Sequence, residues 1–274
     1  MTSPRTVVFD LDGTLVDTAP DLINALNYVL GREGLPPVPL HSARNMIGAG
    51  ARRLIERGLE LEGRTAAFED ITRLTNDFID HYAAHIADVS RPFEGLETAL
   101  DDLAARGYRF AVCTNKLEWL SKLLLDQLGL SSRFSAICGA DTFGVSKPDP
   151  AILRQTIARA GGQLSSAIMV GDAGPDIGVA RRAGIPVIGV EFGYTDVPIA
   201  EFKPDRLIAH MRELPAAVES DPSGADVAEG GRAPLEEPVL GPRQQVVGGE
   251  RDVREHDHRS EDAGRAEQAL FGGD

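Results

Sequence analysis

Val7-Val8-Phe9-Asp10-Leu11-Asp12-Gly13-Thr14-Leu15-Val16-Asp17-Thr18 is the stretch from which the fold can be read. Three apolar residues run into two carboxylates one residue apart, and a glycine comes at once, as when a buried strand ends in a turn. Side chains alternate along a strand, so Asp10 and Asp12 point to one side and Leu11 to the other. Two carboxylates so placed repel each other unless a cation lies between them or one holds a proton. The pattern predicts either a hard, oxygen-ligated cation such as Mg2+ or an acid/base group beside a nucleophile. An ordinary Asp-Gly turn, with Asp12 capping the loop, is the alternative this stretch leaves open.

Past Asp17 the apolar period changes from two to helical. Pro20 suits a first turn, and Leu22, Ile23, Leu26, Val29 and Leu30 form a stripe that stops near Gly31 and Gly34. After the rigid Leu35-Pro36-Pro37-Val38-Pro39 connector, Ser42 is placed to cap a short helix to Ile47. Gly48-Ala49-Gly50 then breaks the chain before a helix carrying Leu54, Ile55 and Leu59. Phe68, Ile71, Leu74, Phe78, Ile79, Tyr82 and Ile86 recur at helical spacing. Residues 17–87 are thus expected to form a small all-helical cap inserted directly after the acidic turn.

Strand-like and helical patterns alternate beyond Phe93. Strands are predicted over 108–113, 134–138, 167–170, 186–190 and 206–208, with helices over 96–103, 117–128, 151–159 and 177–183. This order predicts an α/β core, a doubly wound Rossmann-like parallel sheet with helices on both faces, built from residues 1–16 and 88–218. Such sheets bind ligands beyond the carboxyl ends of their strands. Thr114, Asn115, Lys147 and Asp172 all come after strand-like segments, as Asp10 and Asp12 do, so one crevice can gather them.

Their chemistry is coherent. Asp10, Asp12 and Asp172 offer oxygen ligands to Mg2+. Thr114, the Asn115 amide and Lys147 offer donors and a positive charge to a tetrahedral anion. A cation, a donor cage and a carboxylate nucleophile together match phosphoryl transfer, in which catalysis is mostly positioning and charge neutralisation.

Composition narrows the class. Among 274 residues, 42% are hydrophobic and 26% charged, ordinary values for a globular protein with its own core. A net charge of −14 argues against a nucleic-acid partner. No apolar run reaches the roughly 20 residues of a membrane span. Met1-Thr2-Ser3-Pro4-Arg5 has no apolar signal region, so a cytoplasmic location is expected. Cys113 and Cys138 lie in apolar stretches and read as small buried hydrophobes. Residues 221–274 hold 13 Asp and Glu against 6 Arg and no Lys, half of the net charge. The segment 219–274 therefore reads as a disordered acidic tail or as translation past a frameshift.

The run 9–18 resembles the first signature of the haloacid dehalogenase superfamily of phosphatases. Thr114-Asn115-Lys116 resembles the second, Lys147-Pro148 the third and Gly171-Asp172-Ala173-Gly174-Pro175-Asp176 the fourth, with Ala173 where many relatives carry a small hydroxyl residue. The helical insertion is similar to the cap of that superfamily's phosphoglycolate phosphatase-like branch. The resemblance covers residue 6 to about 218. It implies Asp10 as nucleophile, Asp12 as proton carrier, and Mg2+ held by Asp10, the Asp12 backbone carbonyl and Asp172, with Asp176 in support. It also implies that Thr114 and Asn115 hold phosphate oxygens and that Lys147 offsets charge. Asp12 favours phosphate esters over halides, because halide departure needs no proton.

Substrate choice then belongs to the cap, with Gly48 and Arg52 as candidate contacts and Arg44, Arg53 or Lys116 as further cations for a small carboxylated substrate such as 2-phosphoglycolate. The expected protein is an Mg2+-dependent phosphatase of a small phosphorylated metabolite, a monomer or homodimer. A pyrophosphatase, a sugar-phosphate phosphatase or a phosphoglucomutase on the same core are the alternatives. A non-catalytic phosphate sensor would not need Asp10.

Overall fold

The computed structural model describes residues 5–195 and 197–220, all within one compact unit. The tail expected over 219–274 lies outside the described residues, save for Glu219 and Ser220.

Strands β1 (Thr6–Phe9) and β2 (Val16–Asp17) flank the acidic turn. Helices α1 (Ala19–Arg32), α2 (Leu40–Ala43), α3 (Ala51–Leu61) and α4 (Phe68–Ala84) come next, and β3 (Arg91–Pro92) returns the chain. The remainder alternates: α5 (Leu96–Ala105), β4 (Arg109–Cys113), α6 (Glu118–Gln127), β5 (Ala136–Cys138), α7 (Pro150–Arg159), β6 (Ala167–Gly171), α8 (Gly174–Ala183), β7 (Val187–Val190), β8 (Arg206–Ile208) and α9 (Leu214–Glu219).

Six strands form a parallel sheet in the order β5-β4-β1-β6-β7-β8. Both faces are covered, which is why the strands read as unbroken apolar runs rather than alternating ones. Val7, Phe9, Phe110, Val112 and Val170 face the core shared with α5 and α6. Their neighbours Val8, Ala111, Cys113 and Met169 face α7 and α8. The α/β, doubly wound architecture is as the sequence predicts. Chain order reverses across the β1/β6 boundary, the switch point where such sheets open a crevice.

The helical insertion leaves and rejoins the core through a two-stranded antiparallel ribbon, in which Val16 pairs with Pro92 and Asp17 with Arg91. Asp21, buried at the start of α1, accepts bonds from Val89 N (3.0 Å), Ser90 N (2.7 Å) and Ser90 Oγ (2.6 Å). One carboxylate therefore ties the entry helix to the exit strand.

Local differences have local causes. Ser42 lies inside α2, whose N-cap is Pro39 with no side-chain bond, so Ser42 caps nothing. The stripe that includes Ile86 outlasts its helix: α4 ends at Ala84, while Ile86 stays buried in the turn beyond. β5 begins at Ala136, because residues 131–133 form a 3-10 turn ahead of Phe134. Cys113 and Cys138 are buried and unpaired, in register on β4 and β5. Burial pushes the Cys113 thiol up to about 12, so it is chemically quiet. Among the described residues, no helix is long and apolar enough to cross a membrane.

Candidate active site

The residues at the strand ends are held there by the sheet itself. Asp10 N still donates to Val170 O (2.9 Å) and Thr114 N to Cys138 O (3.1 Å), so the ladder extends one bond beyond β1 and β4. Asp172 stands directly after β6. Lys147 differs from its expected place, sitting in the long loop between β5 and α7 rather than at a strand end. It is drawn in by Asn115, whose Oδ1 accepts from Lys147 N (2.8 Å).

Asp10, Asp172 and Asp176 bring carboxylate oxygens to within 4.8 Å of one another. Lys147 is the ammonium among them, with Nζ 2.8 Å from Asp10 Oδ1 and 2.6 Å from Asp176 Oδ1. Its approach to Asp10 is an ion pair without hydrogen-bond alignment, so Asp10 Oδ1 is buried with no hydrogen-bond partner. Asp176 spends its other oxygen on Ala173 N (3.1 Å). Asp172 accepts from Thr14 Oγ1 (2.9 Å) and Tyr194 N (2.7 Å).

Three carboxylates against one ammonium leave uncompensated negative charge in a buried place. Burial, reinforced by Asp176 and Asp12 and opposed by Lys147, pushes Asp10 up to about 6. Burial and then the Asp176 and Asp10 charges hold Asp172 well above the usual carboxylate range. Burial works against a charged Lys147, but Asp10 and Asp176 outweigh it and raise its pKa. Excess negative charge on three buried carboxylates, all oxygen donors, fits a hard divalent cation such as Mg2+.

Asp12 turns away from this cluster. Its carboxylate accepts from Lys116 Nζ (3.0 and 3.2 Å) and from Thr18 Oγ1 (2.8 Å). Any part it takes in metal binding falls to its backbone, and its side chain is free for another task. Thr114 is buried, and its hydroxyl accepts from Lys116 N (3.2 Å). The Asn115 amide, expected to grip phosphate, is already engaged with Gly48 O and Lys147 O, each 3.3 Å away. It works as a brace between the cap loop and the lysine loop.

Asp10, Asp12, Thr114, Asn115, Lys116 and Lys147 form the floor of a cavity of about 470 Å³ whose roof comes from the helical insertion. Gly48 and Arg52 both line it. Gly48 and Gly50 have φ of +104° and +88°, a left-handed backbone that turns this loop towards Asn115. The arginines expected to serve the substrate are otherwise occupied. Arg52 pairs with Glu56 (3.1 Å) and stacks on Phe68, Arg53 pairs with Glu56 and Glu60, and Arg44 pairs with Asp17 (2.9 Å) over the Tyr194 ring.

Two site residues escaped the sequence reading. Tyr194 donates its backbone N–H to Asp172, while its hydroxyl donates to Asp17 and accepts from Ala19 N (3.0 Å). It sits in the loop after β7, so a search of the loops after all the strands, not only four, would have found it. Tyr82, on α4, has its ring 4.5 Å from Lys116 Nζ. Its helical spacing marks it as core, and nothing local distinguishes a core tyrosine from a cavity one.

Known proteins similar to this chain point to one family. A family model described as haloacid dehalogenase-like hydrolase matches residues 7–190. The phosphoglycolate phosphatase of Caulobacter vibrioides is 46% identical over 212 residues, covering 77% of this chain and 90% of that protein. That of Mesorhizobium japonicum is 45% identical over 208 residues, covering 76% and 92%. A crystal structure from Haemophilus somnus 129PT, described as a predicted phosphoglycolate phosphatase, aligns with a TM-score of 0.73 at 29% identity, covering 79% of this chain and 99% of that one.

Proposed function

This chain belongs to the haloacid dehalogenase-like hydrolase family and is a phosphoric monoester hydrolase, and we propose that its substrate is 2-phosphoglycolate, cleaved through an aspartyl-phosphate with Mg2+ in attendance. Asp10 attacks phosphorus with a carboxylate oxygen; the P–O bond to glycolate breaks as the Asp10 O–P bond forms. Asp12, 12% exposed on the cavity floor, gives its proton to the leaving alkoxide. It then takes a proton from the water that releases phosphate and regenerates Asp10. Thr114 donates its hydroxyl to a phosphoryl oxygen, and Lys147 offsets negative charge beside Asp10. Asn115 keeps Lys147 and Gly48 in place. Asp10, the Asp12 backbone carbonyl and Asp172 would hold the metal, with Asp176 supporting. When bound, Mg2+ supplies a positive charge that makes the phosphoryl group easier to attack.

The observation that carries this reading is Asp10, paired with Lys147 and lining the same cavity as Asp12. Near-half identity to phosphoglycolate phosphatases over most of their length supports the substrate. The cavity exceeds the needs of a two-carbon ester, and its size favours a second reading, a sugar phosphate. Against that reading, Leu22, Ile47, Leu54, Phe78 and Ile79 on its walls offer a sugar's hydroxyls no partner. Closure of residues 17–87, acting as a cap domain, would shrink the space around a small acid and exclude water. The enzyme works in the cytoplasm as a monomer or homodimer.

A panel of phosphorylated metabolites compared by kcat/KM tests the substrate, with 2-phosphoglycolate expected first. Preference for a hexose phosphate would sink the assignment. EDTA should silence the enzyme and Mg2+ restore it; indifference to chelation would refute the metal.

A further inference from the structure

We propose that Lys116 and Tyr82 form a carboxylate subsite that reads an acid group one carbon away from the phosphoester oxygen. The inference rests on the phosphatase reading above and sharpens its substrate class to α-phosphoryloxy acids.

Three cations line the cavity among the described residues: Arg52, Lys116 and Lys147. Lys147 is committed to Asp10 and Asp176, and Arg52 to Glu56 and the Phe68 ring. Lys116 has one carboxylate partner, Asp12, for three N–H donors, and its side chain is 5% exposed. Its ammonium also lies over the Tyr82 ring, 4.5 Å from the centroid. It remains a cation with unused donor capacity.

Beside it, Tyr82 is fully buried; its hydroxyl lies against Lys116, which can only donate, and its own O–H meets no acceptor among the described residues. Burial pushes this phenol up to about 12, so it presents an O–H donor. A buried donor without a partner is uncommon and asks for an acceptor. A carboxylate lodged between Lys116 Nζ and Tyr82 Oη supplies one, and receives both a charge and a hydrogen bond. Lys116 comes from the core and Tyr82 from α4, so such a ligand would also bridge the two walls.

Position fixes the substrate's length. Lys116 Nζ is 3.0 Å from Asp12 Oδ1, the group assigned to the leaving oxygen. An acid group reached from there must sit next to the ester carbon. One methylene more would lengthen the reach from the leaving oxygen beyond this spacing.

The full-length enzyme and its Lys116→Met and Tyr82→Phe variants are compared by kcat/KM on 2-phosphoglycolate, on 2-hydroxyethyl phosphate, which lacks the charge, and on the phosphate ester of 3-hydroxypropanoate, which carries it one carbon farther. The wild type should prefer 2-phosphoglycolate over either by about 100-fold. Lys116→Met should shrink that preference to about threefold, and Tyr82→Phe should narrow it by about tenfold. Tyr82→Phe keeps the ring under Lys116 and so remains informative even where Lys116→Met folds poorly. A wild-type preference that survives in both variants, or an equal fall on all three esters, overturns the subsite alone. A wild type indifferent to the acid group overturns the phosphoglycolate reading and the subsite together.

Discussion

Replacing Asp10 by Asn should abolish turnover and yet make the metal-free protein more stable at neutral pH. Asp10 is pushed from 3.8 to about 6 by burial among Asp176 and Asp12. Two pH units correspond to about 3 kcal/mol of penalty on the native state once the group is ionised. Which state holds the proton decides the sign. Below 3.8 the carboxyl is neutral in both states and there is no penalty. Between 3.8 and about 6 the unfolded chain ionises first, so native stability falls as pH rises; above 6 the loss is complete. Asn does not titrate, so its advantage should be about 1 kcal/mol at pH 4.5 and up to about 3 kcal/mol at pH 7.5, less whatever Lys147 loses with its partner. Urea unfolding in EDTA at the two pH values measures the difference. Mg2+ at about 1,000 times its Kd should reverse the order, because a ligand that binds only the native state then adds about 4.1 kcal/mol, and the wild type binds it better. A pH-independent difference, or an Asn variant less stable at pH 7.5, would refute the account of crowded charge.

Two further substitutions test the walls of the cluster. Asp176 returns half of a capping box to Ala173 N, but alanine cannot complete it; Ala173→Ser should gain about 1 kcal/mol, seen as a rise in Tm of about 2–4 °C, and a lowered Tm would contradict the cap. A Cβ at Gly193 would overlap Asp172 Cβ and Oδ2, so Gly193→Ala should cost about 1–3 kcal/mol and raise the Mg2+ concentration needed for half-maximal activity, whereas an unchanged metal titration would show that Asp172 moves freely.

Most of the architecture was legible because its signals are local. Phe9-Asp10 at the end of an apolar run, Cys113-Thr114 and Gly171-Asp172 each announce a strand and the polar group at its tip, and a doubly wound sheet needs little else to bring them together. Lys147 was legible as chemistry but not as position, since its place depends on a hydrogen bond to Asn115 across the crevice. The cap arginines are the opposite case. Their charge is plain in the sequence, but Glu56 and Glu60, one and two helical turns further along α3, pair with Arg52 and Arg53, and Asp17 pairs with Arg44. Tyr82 and Tyr194 matter through partners far away in the chain, Lys116 and Asp172, and no periodicity encodes such a meeting.

The ribbon of Val16–Asp17 against Arg91–Pro92 has a consequence for how such an enzyme is modified, by nature or by hand. The two ends of the insertion lie side by side, about 4.8 Å apart as paired strands are. Everything between them is spliced into the core at a single seam, outside the six-stranded sheet. A gene segment exchanged at that seam would replace the roof of the cavity wholesale and leave Asp10, Thr114, Lys147 and Asp172 on their own scaffold. Asp17, Tyr194, Asn115 and Lys116 would have to be fitted to the newcomer, since they touch both sides of the join. The reaction is inherited with the sheet, and the diet arrives as a cassette.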